Sequence, residues 1–299
     1  MSSQVHLEML KKINTEKGFI AALDQSSGSI QHALRLYGIS ERQYSGEEEM
    51  YTKVHKMNTR IMTSEAFSGD RILGAILFEN TLDREIEGLA SPDYLWQTKK
   101  IVPFLKVDIG LEAEHNGVQL MRPIGGLNDL LDKAVGKNIF GSKMRSFIRL
   151  ANCSGIHIIV AQQFAIGARI LAKGLVPIIE PEIDIHSPEK GAAELILREE
   201  LLLQLDAIPD SQQVILKLSL PNITGFYNKL IAHPRVLKVV ALSGGYSREK
   251  ANRLLSENTD MVASFSRAFS EELFDLMSHD EFESTINESI DSIYQASNQ

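Results

Sequence analysis

Cysteine is nearly absent from this 299-residue chain, and long apolar runs are missing altogether. The single cysteine, Cys153, excludes an internal disulfide framework and any zinc site built from several cysteines. We expect its small thiol side chain to be buried. No apolar run reaches the roughly 18 residues that would span a bilayer, and residues 1–18 lack the apolar core of a signal peptide. These shortages predict a soluble, cytoplasmic protein without a membrane partner.

Positive charge is also in short supply. The chain carries 31 lysines and arginines against 39 aspartates and glutamates, a formal net charge of -8. Because nucleic acids attract basic surfaces, this balance argues against a nucleic-acid partner, and an anionic substrate would need a locally basic pocket. The eight histidines show no HExxH or comparable ligand spacing, so no metal site is predicted.

The pattern of apolar residues indicates a repeated βα organisation. No low-complexity tract or linker marks a boundary, so residues 1–299 are predicted to form one domain with a helical C-terminal tail. The eight predicted strands are 18–25, 71–79, 102–110, 139–146, 175–184, 214–220, 236–244 and 261–267. The main helices predicted between them are 47–62, 161–174, 188–205 and 247–257. Eight such units favour a (β/α)8 TIM barrel, although an open doubly wound α/β sheet fits the same strand count.

Polar residues two positions apart recur near the C-terminal ends of five predicted strands. The pairs are Asp24 with Ser26, Lys106 with Asp108, Lys143 with Arg145, Glu180 with Glu182, and Lys217 with Ser219. Side chains two positions apart share one face of a strand, and helices cover the outside of a parallel barrel. One pair alone would be typical of a solvated strand, but five predict a pocket at the C-terminal face, where barrel active sites lie.

Lys217 is the candidate nucleophile because it interrupts the apolar run VILKLSL at 214–220. A lysine is a nucleophile only when neutral, and its ordinary pKa of about 10.4 keeps it protonated near pH 7. Burial and neighbouring cations such as Lys143 and Arg145 are expected to lower that pKa. A neutral amine attacks carbonyl carbon to form a Schiff base, and nearby carboxylates can move the protons.

Two turns are candidate anion sites. The stretch ALSGGYSREKA at 241–251 places a glycine pair before a helix, where backbone N–H groups can bind phosphate. Capping of that helix by Ser247 would explain part of the pattern. Arg267 is predicted to end strand eight beside this turn, and DQSSGSI at 24–30 predicts a similar turn after strand one.

These motifs resemble class I fructose-bisphosphate aldolase, the metal-independent Schiff-base enzyme, and are most similar to its shorter bacterial form. The stretches ALDQSSGSI, LKVD, KMR, IIEPE, LKLS, LSGGYS and SFSRA occur in the family's order over nearly the whole chain. The resemblance implies reversible cleavage of fructose 1,6-bisphosphate into dihydroxyacetone phosphate and glyceraldehyde 3-phosphate. It also implies a sugar phosphate as the ligand and no cofactor.

The resemblance further implies a role for individual residues. Lys217 would form the imine, Asp24 would handle the proton of the C4 hydroxyl, and Glu180 would act as acid and base during carbinolamine dehydration. Lys143 would orient these groups together with Lys106. The substrate-binding set implied by the family is Lys106, Arg145, Glu182, Ser26, Ser29, Ser243, Gly244 and Arg267, the last three holding the phosphate of the dihydroxyacetone half.

The chain departs from the animal enzymes of this family in two places. Where they have a Lys-Arg pair after the DQSSGSI turn, this chain has His32 and Ala33. The animal chains also end in a mobile tail with a terminal tyrosine, whereas Tyr294 falls in a predicted helix and is expected only to pack. Two alternatives stay open: another Schiff-base barrel, such as a transaldolase or deoxyribose-phosphate aldolase, and a silent barrel that binds sugar phosphates or a protein partner.

Overall fold

A computed structural model describes residues 3–25 and 30–299, and its centre is a barrel of eight parallel strands that pair in chain order. The strands are β1 (Phe19–Leu23), β2 (Ile72–Leu77), β3 (Val102–Lys106), β4 (Gly141–Ile148), β5 (Val176–Ile183), β6 (Val214–Ser219), β7 (Val236–Leu242) and β8 (Met261–Ala263). The barrel closes where the Ala22 N–H donates to the Phe265 carbonyl at 3.1 Å, just past β8. The predicted TIM barrel is therefore confirmed over the open sheet.

Helices follow the strands and cover the outside of the barrel. They are α1 (Ser3–Thr15), α2 (Ile30–Leu36), α3 (Gly46–Thr63), α4 (Glu79–Leu82), α5 (Ser91–Asp93), α6 (Leu127–Gly136), α7 (Cys153–Ala172), α8 (Lys190–Asp206), α9 (Asn228–Ile231), α10 (Arg248–Ser256), α11 (Arg267–Ser270) and α12 (His279–Ala296). A single 3-10 turn, Glu41–Gln43, and a π-helical turn, Tyr94–Thr98, complete the helical segments of the described residues. Short strands Glu85–Ile86 and Leu89–Ala90 form a hairpin, and Val118–Gln119 pairs antiparallel with β4.

Apolar side chains fill the lower half of the barrel, and α1 closes its N-terminal end. Met9 and Ile13 of α1 are fully buried in this interior cluster. Phe104 lies between two glycines, because a Cβ on Gly74 would come within 2.7 Å of its ring and one on Gly141 within 3.0 Å. Small residues on β2 and β4 thus make room for one large ring, which leaves the upper half of the barrel for other side chains.

Four details of the sequence prediction need correction or extension. Strand β8 ends at Ala263, and Arg267 begins α11 instead of ending the strand, because Ser266 (φ -109°, ψ -80°) has left the extended region.

Cys153 is exposed because it is the first residue of α7, whose N-cap is Asn152. The apolar run Leu201, Leu202 and Leu203 predicts a buried helix face, but Leu203 is 66% exposed. A helix turns about 100° per residue, so consecutive side chains face different directions.

The fourth detail concerns helix limits. Among the helices of ten residues or more, α1 and α6 were not predicted, and α7 begins eight residues before the predicted start at residue 161. Length and composition alone would let α7 cross a membrane, and no other helix in the described part of the chain meets that test. Here α7 packs against β4, β5 and α8 as one of the helices around the barrel.

Candidate active site

A cavity of about 610 Å³ opens at the C-terminal ends of the strands, and the predicted site residues meet there. The cavity is lined by Lys217, Glu180, Asp24, Lys143, Lys106, Arg145, Glu182, Ser243, Gly244 and Arg267. The other two members of the predicted set, Ser26 and Ser29, lie outside the described residues. The residues come from β3, β4, β5 and β6, from the turns that follow β1 and β7, and from the start of α11. On the strands, the alternation of side chains predicted which faces point into the cavity.

Lys143 lies at the centre of the charged groups. Its Nζ is 2.7 Å from Asp24 Oδ2, 2.9 Å from Glu180 Oε2 and 3.9 Å from Asp108 Oδ2. All four side chains are almost completely buried. A buried charge is tolerated only when it is paired, so this one ammonium holds three strand ends in a fixed relation.

Lys217 lies on the other side of Glu180. Its Nζ is 3.2 Å from Glu180 Oε1, and both side chains are buried. The two oxygens of one carboxylate therefore face two different ammonium groups, Lys217 on Oε1 and Lys143 on Oε2. At that distance Glu180 can exchange a proton directly with the lysine nitrogen.

Asp108 also belongs to the site. The sequence analysis paired it with Lys106 on one strand face but did not include it in the predicted set of site residues. Its Oδ1 is 3.2 Å from Lys106 Nζ, and its Oδ2 accepts a hydrogen bond from the Arg145 backbone N–H at 3.2 Å. A further N–H, that of Gly110, donates to Oδ1 at 3.4 Å. The signal was available in the sequence, because Asp108 follows Lys106 by two residues and so shares its face.

Arg145 and Glu182 form a second ion pair at the mouth of the cavity. Arg145 Nε donates to Glu182 Oε2 at 2.5 Å, and the guanidinium lies 5.3 Å from the centre of the Phe147 ring. Burial alone would lower the pKa of Arg145, but Glu182 outweighs it and raises that pKa. Arg145 is one-third exposed, so it faces both the charged cluster and any ligand that enters.

Electrostatics keep the two central carboxylates ionised. Burial alone would raise the pKa of Asp24, but the attraction of Lys143, Lys217 and Lys106 outweighs it and lowers that pKa to about 2. Burial likewise opposes ionisation of Glu180, yet Lys143 and Lys217 hold its pKa below the ordinary value. Both groups are therefore carboxylates near neutral pH and available as proton acceptors.

The pKa values of Lys143 and Lys106 shift in opposite directions. Burial favours the neutral form of Lys143, but Asp24, Glu180 and Asp108 hold its pKa well above the usual range. Burial and the nearby Lys143 charge lower the pKa of Lys106, and Asp108 compensates only in part. Lys143 is thus a permanent cation, whereas Lys106 loses its proton more readily than a free lysine.

The turn after β7 has the geometry of an anion site. Gly244 (φ +60°) and Gly245 (φ +111°) adopt conformations that favour glycine, and the following helix α10 is capped by the Ser247 hydroxyl. A Cβ on Gly245 would lie 3.7 Å from Arg267 Nη2, so the guanidinium lies beside this turn. Backbone N–H groups and a fixed cation together suit a phosphate dianion.

The remaining wall contains residues that the predicted set did not include. His32, Ala33, Leu36 and Tyr37 line it on one side. The Ser264 hydroxyl also lines the cavity, where it is buried and has no hydrogen-bond partner among the described residues. No group of three or more histidine, cysteine, aspartate or glutamate residues is arranged to bind a metal ion within 3–25 and 30–299.

Comparisons with known proteins point to one family. The model of the family Fructose-bisphosphate aldolase class-I matches residues 7–202. A curated protein, Fructose-bisphosphate aldolase class 1 from a Synechocystis species, is 54% identical over 297 residues, which cover 99% of this chain and 99% of that relative.

A solved structure, fructose-bisphosphate aldolase from Plasmodium falciparum, superposes with a TM-score of 0.75 over 100% of this chain and 97% of that one. Its 19% identity supports the fold alone. The family match and the identity over almost the whole length are the stronger findings, and they show that the chain belongs to the class I fructose-bisphosphate aldolase family.

Proposed function

We propose that this protein cleaves fructose 1,6-bisphosphate reversibly into dihydroxyacetone phosphate and glyceraldehyde 3-phosphate through an imine on Lys217. The observation that carries the proposal is the shared carboxylate, with Glu180 Oε1 3.2 Å from Lys217 Nζ and Oε2 2.9 Å from Lys143 Nζ. A barrel that only bound phosphate would need cations at its mouth, but no buried amine beside a buried carboxylate. Membership of the aldolase family supports the same chemistry.

Imine formation is the first step of the proposed reaction. The Lys217 amine attacks C2 of the open-chain ketose, and the new C–N bond gives a carbinolamine. Glu180 first takes one proton from the Lys217 ammonium, and a second proton moves from nitrogen to the former carbonyl oxygen as the carbinolamine forms. Glu180 then gives its proton to the carbinolamine hydroxyl, which leaves as water. The product is a protonated imine whose positive charge attracts electrons from C3.

Carbon–carbon cleavage follows at Asp24. The Asp24 carboxylate takes the proton of the C4 hydroxyl, the C4 oxygen becomes an aldehyde, and the C3–C4 electron pair moves into the iminium to form an enamine. The low pKa of Asp24 keeps it deprotonated for this task, and Lys143 holds it in place. Protonation of C3 and hydrolysis of the imine, again with Glu180, then release dihydroxyacetone phosphate.

The two phosphates would occupy opposite ends of the cavity. Ser243, Gly244 and Arg267 are assigned to the phosphate on C1, where the glycine turn and the guanidinium lie together. Lys106, with Ser26 and Ser29, is assigned to the phosphate on C6. Arg145 and Glu182 would support the charged cluster at the mouth. A cytoplasmic location belongs to the same proposal and is supported by the family's glycolytic reaction.

Borohydride trapping tests the proposal. Reduction in the presence of dihydroxyacetone phosphate should inactivate the enzyme, because hydride converts the imine into a stable secondary amine. Peptide mass mapping should then find the added mass on Lys217. Lys217→Arg should be inactive and unlabelled, since a guanidinium stays protonated.

The matched control is Lys238→Arg, which alters another lysine within a barrel strand, one that does not line the cavity. This variant should keep its activity and its label on Lys217. Label on a different lysine, or no label in the wild-type enzyme, would contradict the assignment. Turnover of fructose 1,6-bisphosphate in the same preparations separates this enzyme from transaldolase-like barrels and from silent ones.

A further inference from the structure

A buried amide outside the cavity joins the two strands that carry Lys143 and Glu180. Gln163 lies in the middle of α7 and is fully buried. Its Nε2 donates to Ser146 Oγ on β4 at 3.0 Å, and its Oε1 accepts the backbone N–H of Glu180 on β5 at 2.9 Å. Both hydrogen-bonding ends of the amide are therefore used, one on each strand.

The amide contacts these strands from the side opposite the cavity. Lys143 and Arg145 line the cavity, and Ser146, the next residue along β4, is fully buried and does not line it. Successive side chains of a strand point to opposite faces. Gln163 thus binds the outer face at the height where the inner face presents the charged cluster.

The strand pairing next to Glu180 is incomplete on the side of β6. Strand β5 pairs with β6 at Ile178 with Ile215 and at Ile179 with Leu216. This ladder of backbone pairs stops one residue before Glu180. On that side Glu180 must nevertheless place Oε1 3.2 Å from Lys217 on β6. Its backbone is fixed by pairing with β4 at Arg145 and by the hydrogen bond to Gln163.

We infer that Gln163 is a positioning residue that sets the location of the Glu180 carboxylate between Lys217 and Lys143. This inference rests on the role proposed above for Glu180 in making and breaking the imine. A buried backbone N–H that loses its partner shifts or takes in water to recover one. Such a shift in β5 moves the carboxylate relative to Lys217, and misplacement of a reacting group by about 1 Å can lower a rate by up to about a hundredfold.

The test replaces Gln163 by methionine, which has a similar length and cannot form either hydrogen bond. We expect kcat for fructose 1,6-bisphosphate to fall on the order of tenfold, within the range that small misplacements cause. KM should stay near the wild-type value, because the assigned phosphate ligands lie outside β4 and β5: Ser243 follows β7, and Arg267 begins α11. The rate at which dihydroxyacetone phosphate becomes trappable by borohydride in a single turnover should fall in parallel with kcat.

The neighbouring residue provides a matched control. Gln162 also makes two hydrogen bonds, both at 3.0 Å, but to the backbone N–H and carbonyl of Met121 instead of to Glu180. Gln162→Met removes the same groups from the same helix and should leave the trapping rate unchanged. Gln163→Asn, whose amide is one methylene too short, should behave like Gln163→Met and decides the question if the methionine variant does not fold.

The outcomes are distinct. A slow trapping rate in the Gln163 variants with normal KM, and a normal rate in Gln162→Met, supports the positioning role. Equal kcat and trapping rates in all variants, or a loss that only tracks the folded fraction measured by circular dichroism, overturns it. If the wild-type enzyme itself yields no trapped imine, the proposed function fails, and the two failures are therefore distinguishable.

Discussion

Lys143 shows how one side chain can serve two reactions at the residue scale. Its ammonium lies between Asp24, the proposed base for carbon–carbon cleavage, and Glu180, the proposed acid and base for the imine. The same charge lowers the pKa of both carboxylates, so each stays ionised in a buried place. The two proton transfers are assigned to different carboxylates, but one ammonium group fixes the position of both.

Separation of those two tasks leads to the first prediction. Asp24→Asn should lower cleavage of fructose 1,6-bisphosphate by roughly a hundredfold or more, the size typical for loss of a general base. Imine formation with dihydroxyacetone phosphate should persist, because it depends on Lys217 and Glu180. A coupled cleavage assay and borohydride trapping measure the two steps. Loss of both steps, or of neither, would contradict the assignment of Asp24.

The second prediction concerns Lys106 and pH. Burial and Lys143 lower the pKa of this ammonium, so it deprotonates at a lower pH than a free lysine. If it binds the 6-phosphate, kcat/KM must fall as pH rises through that lowered pKa, because the neutral amine no longer attracts the dianion. Lys106→Arg should move this alkaline decline to higher pH, since arginine stays protonated.

The measurement is kcat/KM for fructose 1,6-bisphosphate from neutral pH to about pH 10.5, near the ordinary pKa of lysine. Fructose 1-phosphate provides the internal control, because it lacks the 6-phosphate and should not show the displaced decline. An alkaline limb that is the same in Lys106→Arg and the wild type would assign it to another group.

At the scale of elements, the turn between β7 and α10 combines a backbone requirement with a close contact. Gly244 has φ +60°, and a Cβ there would lie 2.7 Å from Ile185 Cγ2. Gly88, in the hairpin of Glu85–Ile86 and Leu89–Ala90, has φ +80° but nothing within 4 Å of the same added atom. The two glycines therefore share the strained conformation and differ in their surroundings.

This difference gives the third prediction. Both Gly244→Ala and Gly88→Ala should lower the free energy of unfolding by about 1–3 kcal/mol, the cost of a non-glycine residue in this region. Only Gly244→Ala should raise KM, by about tenfold, because displacement of Ile185 moves the proposed phosphate turn. Steady-state kinetics and chemical unfolding measure the two effects. Equal KM values in the two variants would remove this turn from the phosphate site.

At the scale of the whole molecule, the barrel interior has two layers. Apolar side chains and α1 seal the lower half, and the charged groups occupy the upper half. The polar layer is stable because nearly every charge has a partner from a different strand. That residues 1–299 form one domain stays a prediction.

Metal removal is the fourth prediction. The proposed reaction uses the Lys217 iminium to accept the electrons released when the C3–C4 bond breaks, so activity should survive exhaustive treatment with EDTA. The assay compares turnover before and after chelation and after addition of zinc. A loss that zinc restores would indicate a metal-dependent aldolase reaction.

The fifth prediction concerns the part of the cavity wall formed by His32 and Ala33. Neither residue supplies the fixed positive charge of a lysine or arginine to the proposed 6-phosphate. A charge-assisted hydrogen bond contributes about 1.5–3 kcal/mol, against about 0.5–1.5 kcal/mol for a neutral one. Because about 1.4 kcal/mol corresponds to a factor of ten, the ratio of kcat/KM for fructose 1,6-bisphosphate over fructose 1-phosphate should be at least several-fold smaller here than in an animal muscle-type aldolase. Both enzymes are assayed in one buffer at fixed ionic strength.

A substitution at Ala33 makes that prediction specific to this wall. Ala33→Arg should raise the ratio several-fold, because it adds a fixed positive charge beside the proposed 6-phosphate. Ala33→Gln, which has similar reach without charge, is the control and should change the ratio little. An equal or larger ratio in the wild type than in the animal enzyme would mean that another basic residue has taken over.

The sequence by itself determined the eight βα units and most of the residues that line the cavity. Short apolar runs predicted all eight strands, and polar residues two positions apart on those runs predicted Lys143, Glu180 and Lys217 as inward-facing groups. Both signals are local, because alternation fixes which face of a strand a side chain takes. The family resemblance, which implied the roles of individual residues, likewise rested on short motifs of the chain.

Only the tertiary structure decided which of these groups meet, and at what distance. Nothing local relates Asp24 to Lys143, or Gln163 on an outer helix to the backbone of Glu180, since these contacts depend on strand stagger and on how α7 lies across β4 and β5. The placement of Arg267 at the start of a helix came from a three-residue strand that ends early. Pairing across the barrel is set by its closed geometry, which no single stretch of sequence contains.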